Sequence, residues 1–296
     1  MEKTNSQAGW RLILSGRKRG SYNMALDEAL WQNFADQSAA QAETGTQSAP
    51  ILRFYGWQPA ALSLGYTQRA EREVNFKACE ELGVEWVRRP TGGRAILHDF
   101  AELTYSLVGS VEDPQFSGGV LESYRKISGA LVEGLRLLGV EAEMAEKDRR
   151  GHADAITSAC FDAPSAYEIT WQERKIIGSA QARQRGVLLQ QGTILLSVDV
   201  DKLFKVLELP ARLDRAKTIA QVAGRLTSIE EARQRPVSFE EAQQAFIQGF
   251  ASHFGQDLTE TELTPTEAAL ALELQAAKYD NLAWNMERQR PIPAFR

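Results

Sequence analysis

The chain has 296 residues, 43% of them hydrophobic, and its 39 acidic against 34 basic side chains leave a formal charge of −5. That is ample for a large core, and it supplies no basic field for a nucleic-acid backbone, which excludes nucleic acid as a partner. No apolar run reaches the ~18 residues of a membrane span, and the N-terminal stretch offers only Leu12 to Leu14, so a cytoplasmic protein with no membrane association is expected.

In chain order, the first element is an amphipathic helix over residues 22–34, where Met24, Leu26, Ala29, Leu30 and Phe34 make a broad apolar stripe. Residues 35–50 are small and polar and read as a surface loop. From Ile51 the pattern changes to short β-branched and aromatic runs, ILRFY, AALSLGY, VEWVR, RAILH and ELTYSLV, which read as strands of one sheet. A short helix is expected over 75–82 and a long one over 121–138, stopped by Gly139.

After a charged, irregular segment over 146–159, the runs YEITW, KIIGSAQ and VLLQQGTILLSV alternate like paired strands. Helices resume near 201–207, and from Arg225 the pattern is mostly helical, with candidates at 239–254 and 265–278. The expected class is α/β in the α+β sense, a mixed sheet flanked by helices. A catalytic domain over residues 1–224 then carries a small, mainly helical C-terminal segment, 225–296, packed on it.

Two regions concentrate chemistry. The first, RRPTGGRAILHD over residues 88–99, joins a strand end to a Pro-Thr-Gly-Gly turn. Gly92 and Gly93 let backbone amides approach a ligand, and Arg88, Arg89 and Arg94 place positive charge beside them. Taken alone, the glycine pair reads first as a tight turn with solvated arginines.

The second region, CFDAPSAYEITWQERKIIGSAQ, sets Cys160 before a hairpin that contains Lys175. A cation near a thiol favours the nucleophilic thiolate, and Lys175 is the candidate cation. Pairing YEITW with KIIGS puts Lys175 roughly 15 to 20 Å along the strand from Cys160, so the segment bearing the cysteine has to fold back over the sheet. By themselves Cys160 reads as a buried thiol and Lys175 as a solvated strand-end charge. Cys79 shares a helix face with Phe76 and Leu82 and reads as packing. His98 is either a general base or a hydrogen-bonded strand end, and with two cysteines and three dispersed histidines no disulfide framework or metal site is expected.

The series NMALDEAL, RFYGWQPAALSLGYTQ, RRPTGGRAILHDFAELTYS, CFDAPSAYEI, RKIIGSAQARQRGVLLQQGTILL and KYDNLAWN, in this order, resembles the biotin and lipoate protein ligase and acyltransferase family. It comes closest to the octanoyltransferase branch. The resemblance covers most of residues 20–285. It implies a mixed-sheet domain of the biotin/lipoate ligase type, an acyl thioester on Cys160, and Lys175 as the residue that lowers the thiol pKa. It also implies that Arg88, Thr91, Gly92, Gly93 and His98 belong to the pocket wall or loop around the acyl group. The implied partners are octanoyl-acyl carrier protein and a lipoyl-domain acceptor such as glycine cleavage H protein.

A thioester donor is already activated, so no cofactor and no metal are expected. The competing readings are an ATP-dependent lipoate ligase, which makes an acyl-adenylate and releases pyrophosphate, and a noncatalytic acyl-binding protein. Cys160 in its CFDAPS setting separates the first of these from the transferase.

Overall fold

In the computed structural model, which describes residues 9–41, 48–146 and 167–289, the strand-forming runs assemble into two sheets rather than the single sheet their pattern suggested. The first elements are β1 (Trp10–Lys18), α1 (Gly20–Gln41), β2 (Ile51–Trp57), β3 (Ala61–Leu64), α2 (Ala70–Glu73) and α3 (Phe76–Glu81). They are followed by β4 (Glu85–Arg88), β5 (Ile96–His98), β6 (Glu102–Ser110), α4 (Val120–Leu137), β7 (Glu143–Glu146), β8 (Tyr167–Trp171), β9 (Arg174–Gln184) and β10 (Val187–Leu195). The remainder is α5 (Val200–Val206), α6 (Arg215–Ala223), α7 (Ile229–Arg233), α8 (Phe239–Phe254), β11 (Leu258–Glu260), α9 (Pro265–Leu274), a π-helical turn (Gln275–Tyr279) and α10 (Leu282–Glu287).

The large mixed sheet has the order β11-β1-β2-β6-β10-β9-β8-β7, and the small one β4-β3-β5. Period-two alternation says that a segment is a strand, not which strand it pairs with, and that is why the two sheets were not separable in the sequence. One face of the large sheet packs on α4 and α8, burying Phe54, Tyr105, Ile127, Leu131, Phe246 and Phe250 in the main core. The other face packs on α1 and α9 around Leu26, Leu30, Phe34, Leu189 and Ala271.

Helix α1 runs on to Gln41, seven residues beyond the end its apolar stripe marks. Ala35, Ala39 and Ala40 favour continuing the helix where the expectation was a loop. Strand β11 pairs in parallel with β1 at the sheet edge, and α10 lies against β4. Among the described residues no helix is long and apolar enough to cross a membrane.

Candidate active site

The Thr-Gly-Gly turn leaves β4 and is held by its neighbours on both sides. Its two arginines are adjacent in sequence and serve different ends, since alternation along an extended segment sends successive side chains to opposite faces. Arg88 is fully buried, and its guanidinium donates to the carbonyls of Gly65, Tyr66, Gln68, Trp284, Asn285 and Met286. The structure does not bring Arg88 to the pocket; it ties α10 to the loop after β3. Arg89 turns inward, where it donates to the Ser63 hydroxyl at 2.6 Å and to the carbonyls of Gly92 and Arg94.

That clamp sets the turn. Gly93 has a φ of +93°, and a Cβ on Gly65 would stand 1.9 Å from the Gly93 carbonyl oxygen, so glycine is required at both positions. Replacing Arg88 with methionine deprives six carbonyls of a charged donor and should cost at least about 3 kcal/mol of stability, read by chemical denaturation. Loss of acyl binding at unchanged stability would instead make Arg88 a recognition residue.

Beside the turn lies a pocket with about 400 Å³ of empty space, counting the part open to solvent. Its apolar wall includes Met24, Tyr55, Trp57 and Ile96, and its polar rim includes Arg89 and Thr91. Gly93 and His98 also line it, with Gly92 lying between Thr91 and Gly93 in the turn. The floor is the α1-side face of the large sheet. Register pairs Gly178 with Thr193, Thr193 with Thr104, and Thr104 with Tyr55, so four cavity-lining residues form one row from β9 to β2.

Two buried polar networks brace this floor. Asp27 of α1 accepts from Arg53, Ser106 and Tyr55 at 2.6 to 2.7 Å and from Gln191, whose own amide oxygen accepts from Thr91. Burial, reinforced by Asp27, pushes the Tyr55 phenol well above its ordinary range, so it remains a neutral donor. In the second network His98 has both ring nitrogens engaged, Nδ1 with Glu102 at 2.6 Å and Nε2 with the Ser63 hydroxyl at 2.5 Å. Its ring stacks on Trp57 with centroids 3.9 Å apart and planes 11° apart. With each nitrogen already bonded, His98 is built as a brace between the sheets rather than as a free general base.

Lys175 is the second residue of β9, beside a bulge. Ile169 pairs with Ile177 and Thr170 with Lys175, leaving Ile176 as the extra residue. Both Ile176 and Ile177 therefore face the main core, and Lys175 is turned to the same sheet face as Gly178 and Ala180 of the cavity. Its ammonium is buried and donates to Glu168 Oε1 at 3.0 Å. The register of Lys175 with Thr170 puts it far along the hairpin, and the side chain runs back about two residues of that distance to Glu168, next to Tyr167. Cys160 lies outside the described residues.

Met24, Trp57 and the β10 residues Gln191 to Thr193 also line the cavity, without a local pattern in the sequence that marks them as site residues. They reach the cavity from segments remote in sequence, and the signal for Met24 and Trp57 was confined to the motifs NMALDEAL and RFYGWQP. Among the described residues, no group of three or more His, Cys, Asp or Glu side chains is placed to hold a metal ion.

A mixed sheet with a glycine turn, a buried lysine and an apolar cavity with a few polar groups on one face can hold a small apolar group. The family model for the lipoyl protein ligase A/B catalytic domain matches residues 19–251, and the chain belongs to that family. Among its relatives, the octanoyltransferase LipM of Carboxydothermus hydrogenoformans is 45% identical over 275 residues, covering 93% of this chain and 97% of the relative. The octanoyltransferase LipM of Bacillus subtilis is 40% identical over 283 residues, covering 94% and 98%. Among solved structures, a chain from the archaeal lipoylation system of Thermoplasma acidophilum, a bipartite lipoate protein ligase and its E2 lipoyl domain, superposes with a TM-score of 0.79. It is 29% identical, and the match covers 97% of this chain and 99% of that one. Lipoate-protein ligase A bound with ATP gives a TM-score of 0.75 at 30% identity, covering 94% and 98%.

Proposed function

We propose that the chain transfers an octanoyl group from octanoyl-acyl carrier protein to a lipoyl-domain lysine through a thioester on Cys160, with glycine cleavage H protein as acceptor. It is an octanoyltransferase of lipoate biosynthesis. The observation that carries this is the 40 to 45% identity, over nearly the whole length of both partners, to proteins named for that activity. We place the reaction in the cytoplasm, with residues 1–224 as the acyltransferase unit and 225–296 as the helical segment packed on it.

The Cys160 thiolate attacks the carbonyl carbon of the donor thioester; the bond to the carrier sulfur breaks, and the carrier leaves as a thiol on taking a proton. The acceptor lysine, as a free amine, then attacks the acyl-enzyme, forms the amide, and returns Cys160 to its starting state. Lys175 is the cation that favours the thiolate, and Thr91, Gly92, Gly93 and His98 belong to the wall around the acyl group. Tyr167 follows Cys160 by seven positions, so the chain tethers the sulfur within about 25 Å of the strand that carries Glu168. This distance allows the cysteine to reach the Lys175 end of the cavity.

The route needs neither ATP nor magnesium, because the donor is an activated ester. Similarity to a ligase solved with ATP supports the rival reading of an ATP-dependent lipoate ligase. Intact-protein mass spectrometry after incubation with octanoyl-acyl carrier protein alone should show one octanoyl adduct, mapped to the peptide that holds Cys160. Transfer confined to free octanoate with ATP and magnesium, with pyrophosphate released, would replace the transferase by the ligase.

A further inference from the structure

We infer that a second pocket, on the far side of the bond between His98 and Glu102 from the acyl cavity, receives the acceptor lysine, and that Glu102 Oε2 binds its ammonium. The inference rests on the reading above, in which the acyl thioester forms beside Lys175. The pocket has about 430 Å³ of empty space, counting the part open to solvent. It lies on the same face of the large sheet as the acyl cavity, one row along. Glu102 is two residues from Thr104 on β6, Leu195 is two residues from Thr193 on β10, and register pairs Glu102 with Leu195 as it pairs Thr104 with Thr193.

Leu226 is the part of its wall that meets the Lys175 strand. The Lys175 amide donates to the Arg225 carbonyl at 2.8 Å, and the Thr227 amide donates to the Lys175 carbonyl at 3.0 Å, which holds Leu226 against the start of β9. A nucleophile entering by this pocket reaches the thioester from the side that the acyl chain does not fill.

The lining selects a lysine. Leu97, Leu195, Leu203 and Leu226 give apolar walls for a four-methylene stem. Asp99, Glu102 and Asp199 also line the pocket with no basic residue among the lining, and Lys202 pairs with Asp99 at 2.7 Å. Glu102 is 2% exposed, and its Oε1 is bonded to both His98 Nδ1 and the Thr104 hydroxyl. Its Oε2 accepts no hydrogen bond among the described residues. A buried carboxyl oxygen without a donor is costly, and an ammonium brings three donors and no acceptor. The carrier's phosphopantetheine arm, by contrast, bears a phosphate that acidic side chains repel. The lysine gives its proton to solvent before the nitrogen attacks the acyl carbonyl, so Glu102 governs delivery of the side chain and not the bond-making step.

The test isolates the octanoyl-enzyme and discharges it with an unmodified lipoyl domain or with hydroxylamine, a small nucleophile that is neutral near pH 7 and needs no ammonium site. The readout is the ratio of the two second-order rate constants, because a distorted thioester site slows both reactions together. Glu102→Gln keeps an oxygen for His98 and Thr104 and removes the charge; Val198→Trp crowds the pocket mouth, where Val198 is 37% exposed. Folding of each is checked by circular dichroism. Glu102→Gln should lower the lipoyl-domain-to-hydroxylamine ratio about tenfold or more, the scale of one lost hydrogen bond to a charged group. Val198→Trp should move it in the same direction, and it decides the matter if Glu102→Gln does not fold. Folded variants with the parent's ratio overturn the inference alone. So does slower acylation by the carrier at an unchanged ratio, which would give the pocket to the carrier's arm. A parent that forms no octanoyl-enzyme overturns the functional reading and the inference with it.

Discussion

Cys160→Ala abolishes both the acyl-enzyme and transfer to the lipoyl-domain lysine, while Cys79→Ala leaves both largely intact. Cys79 lies on α3, 2% exposed, in a cluster with Leu62, Val74, Val84 and Val206, and its sulfur stands 4.0 Å from the Val206 carbonyl. Burial pushes its thiol up to about 11. At pH 7 that leaves about one molecule in ten thousand as thiolate, too few for the nucleophile of a thioester exchange. Its replacement by alanine should cost only about 1 kcal/mol, from a small packing defect. Intact-mass measurement and a coupled transfer assay decide the question once circular dichroism shows both variants folded. Wild-type transfer by folded Cys160→Ala would end the covalent mechanism, whatever the fold.

The place of Cys79 in the packing was legible in the sequence because helical spacing put it on an apolar face with Phe76 and Leu82. Other features were not legible, for physical reasons. Strand β1 carries Leu12 and Ile13 side by side, and both are buried because the sheet is covered on both faces, so no alternation marked it. Arg88 and Arg89 are the same residue type in adjacent positions. Only the strand phase at the end of β4, together with the carbonyls of α10, decides that Arg88 holds the fold while Arg89 shapes the turn. The bulge at Ile176 is likewise invisible in RKIIGSAQ, yet it turns Lys175 toward the cavity face. Trp57 of β2 stacks on His98 of β5, two strands from different sheets, and that contact leaves no trace in local periodicity.

Removing the lysine should separate its electrostatic part in catalysis from its part in the fold. Lys175→Ala takes the ammonium away from the buried Glu168 carboxylate, which should cost about 3 to 5 kcal/mol of stability and would by itself depress activity. Adding Glu168→Gln removes the buried negative charge and should return most of that stability. If Lys175 serves only as the partner of Glu168, the double variant recovers acylation together with stability. If the ammonium favours the Cys160 thiolate, stability returns and the rate does not, because a thiol without its cation titrates about one to two units higher. The sign then fixes the pH profile. The thiolate is the reacting form, so the double variant should acylate about 10- to 100-fold more slowly at pH 7, and the deficit should close as the pH rises through the raised thiol pKa. Iodoacetamide alkylation of Cys160 against pH, in the Cys79→Ala background, reads that shift directly. A titration curve superimposable on that of the parent would remove Lys175 from thiol activation and leave it a structural partner of Glu168.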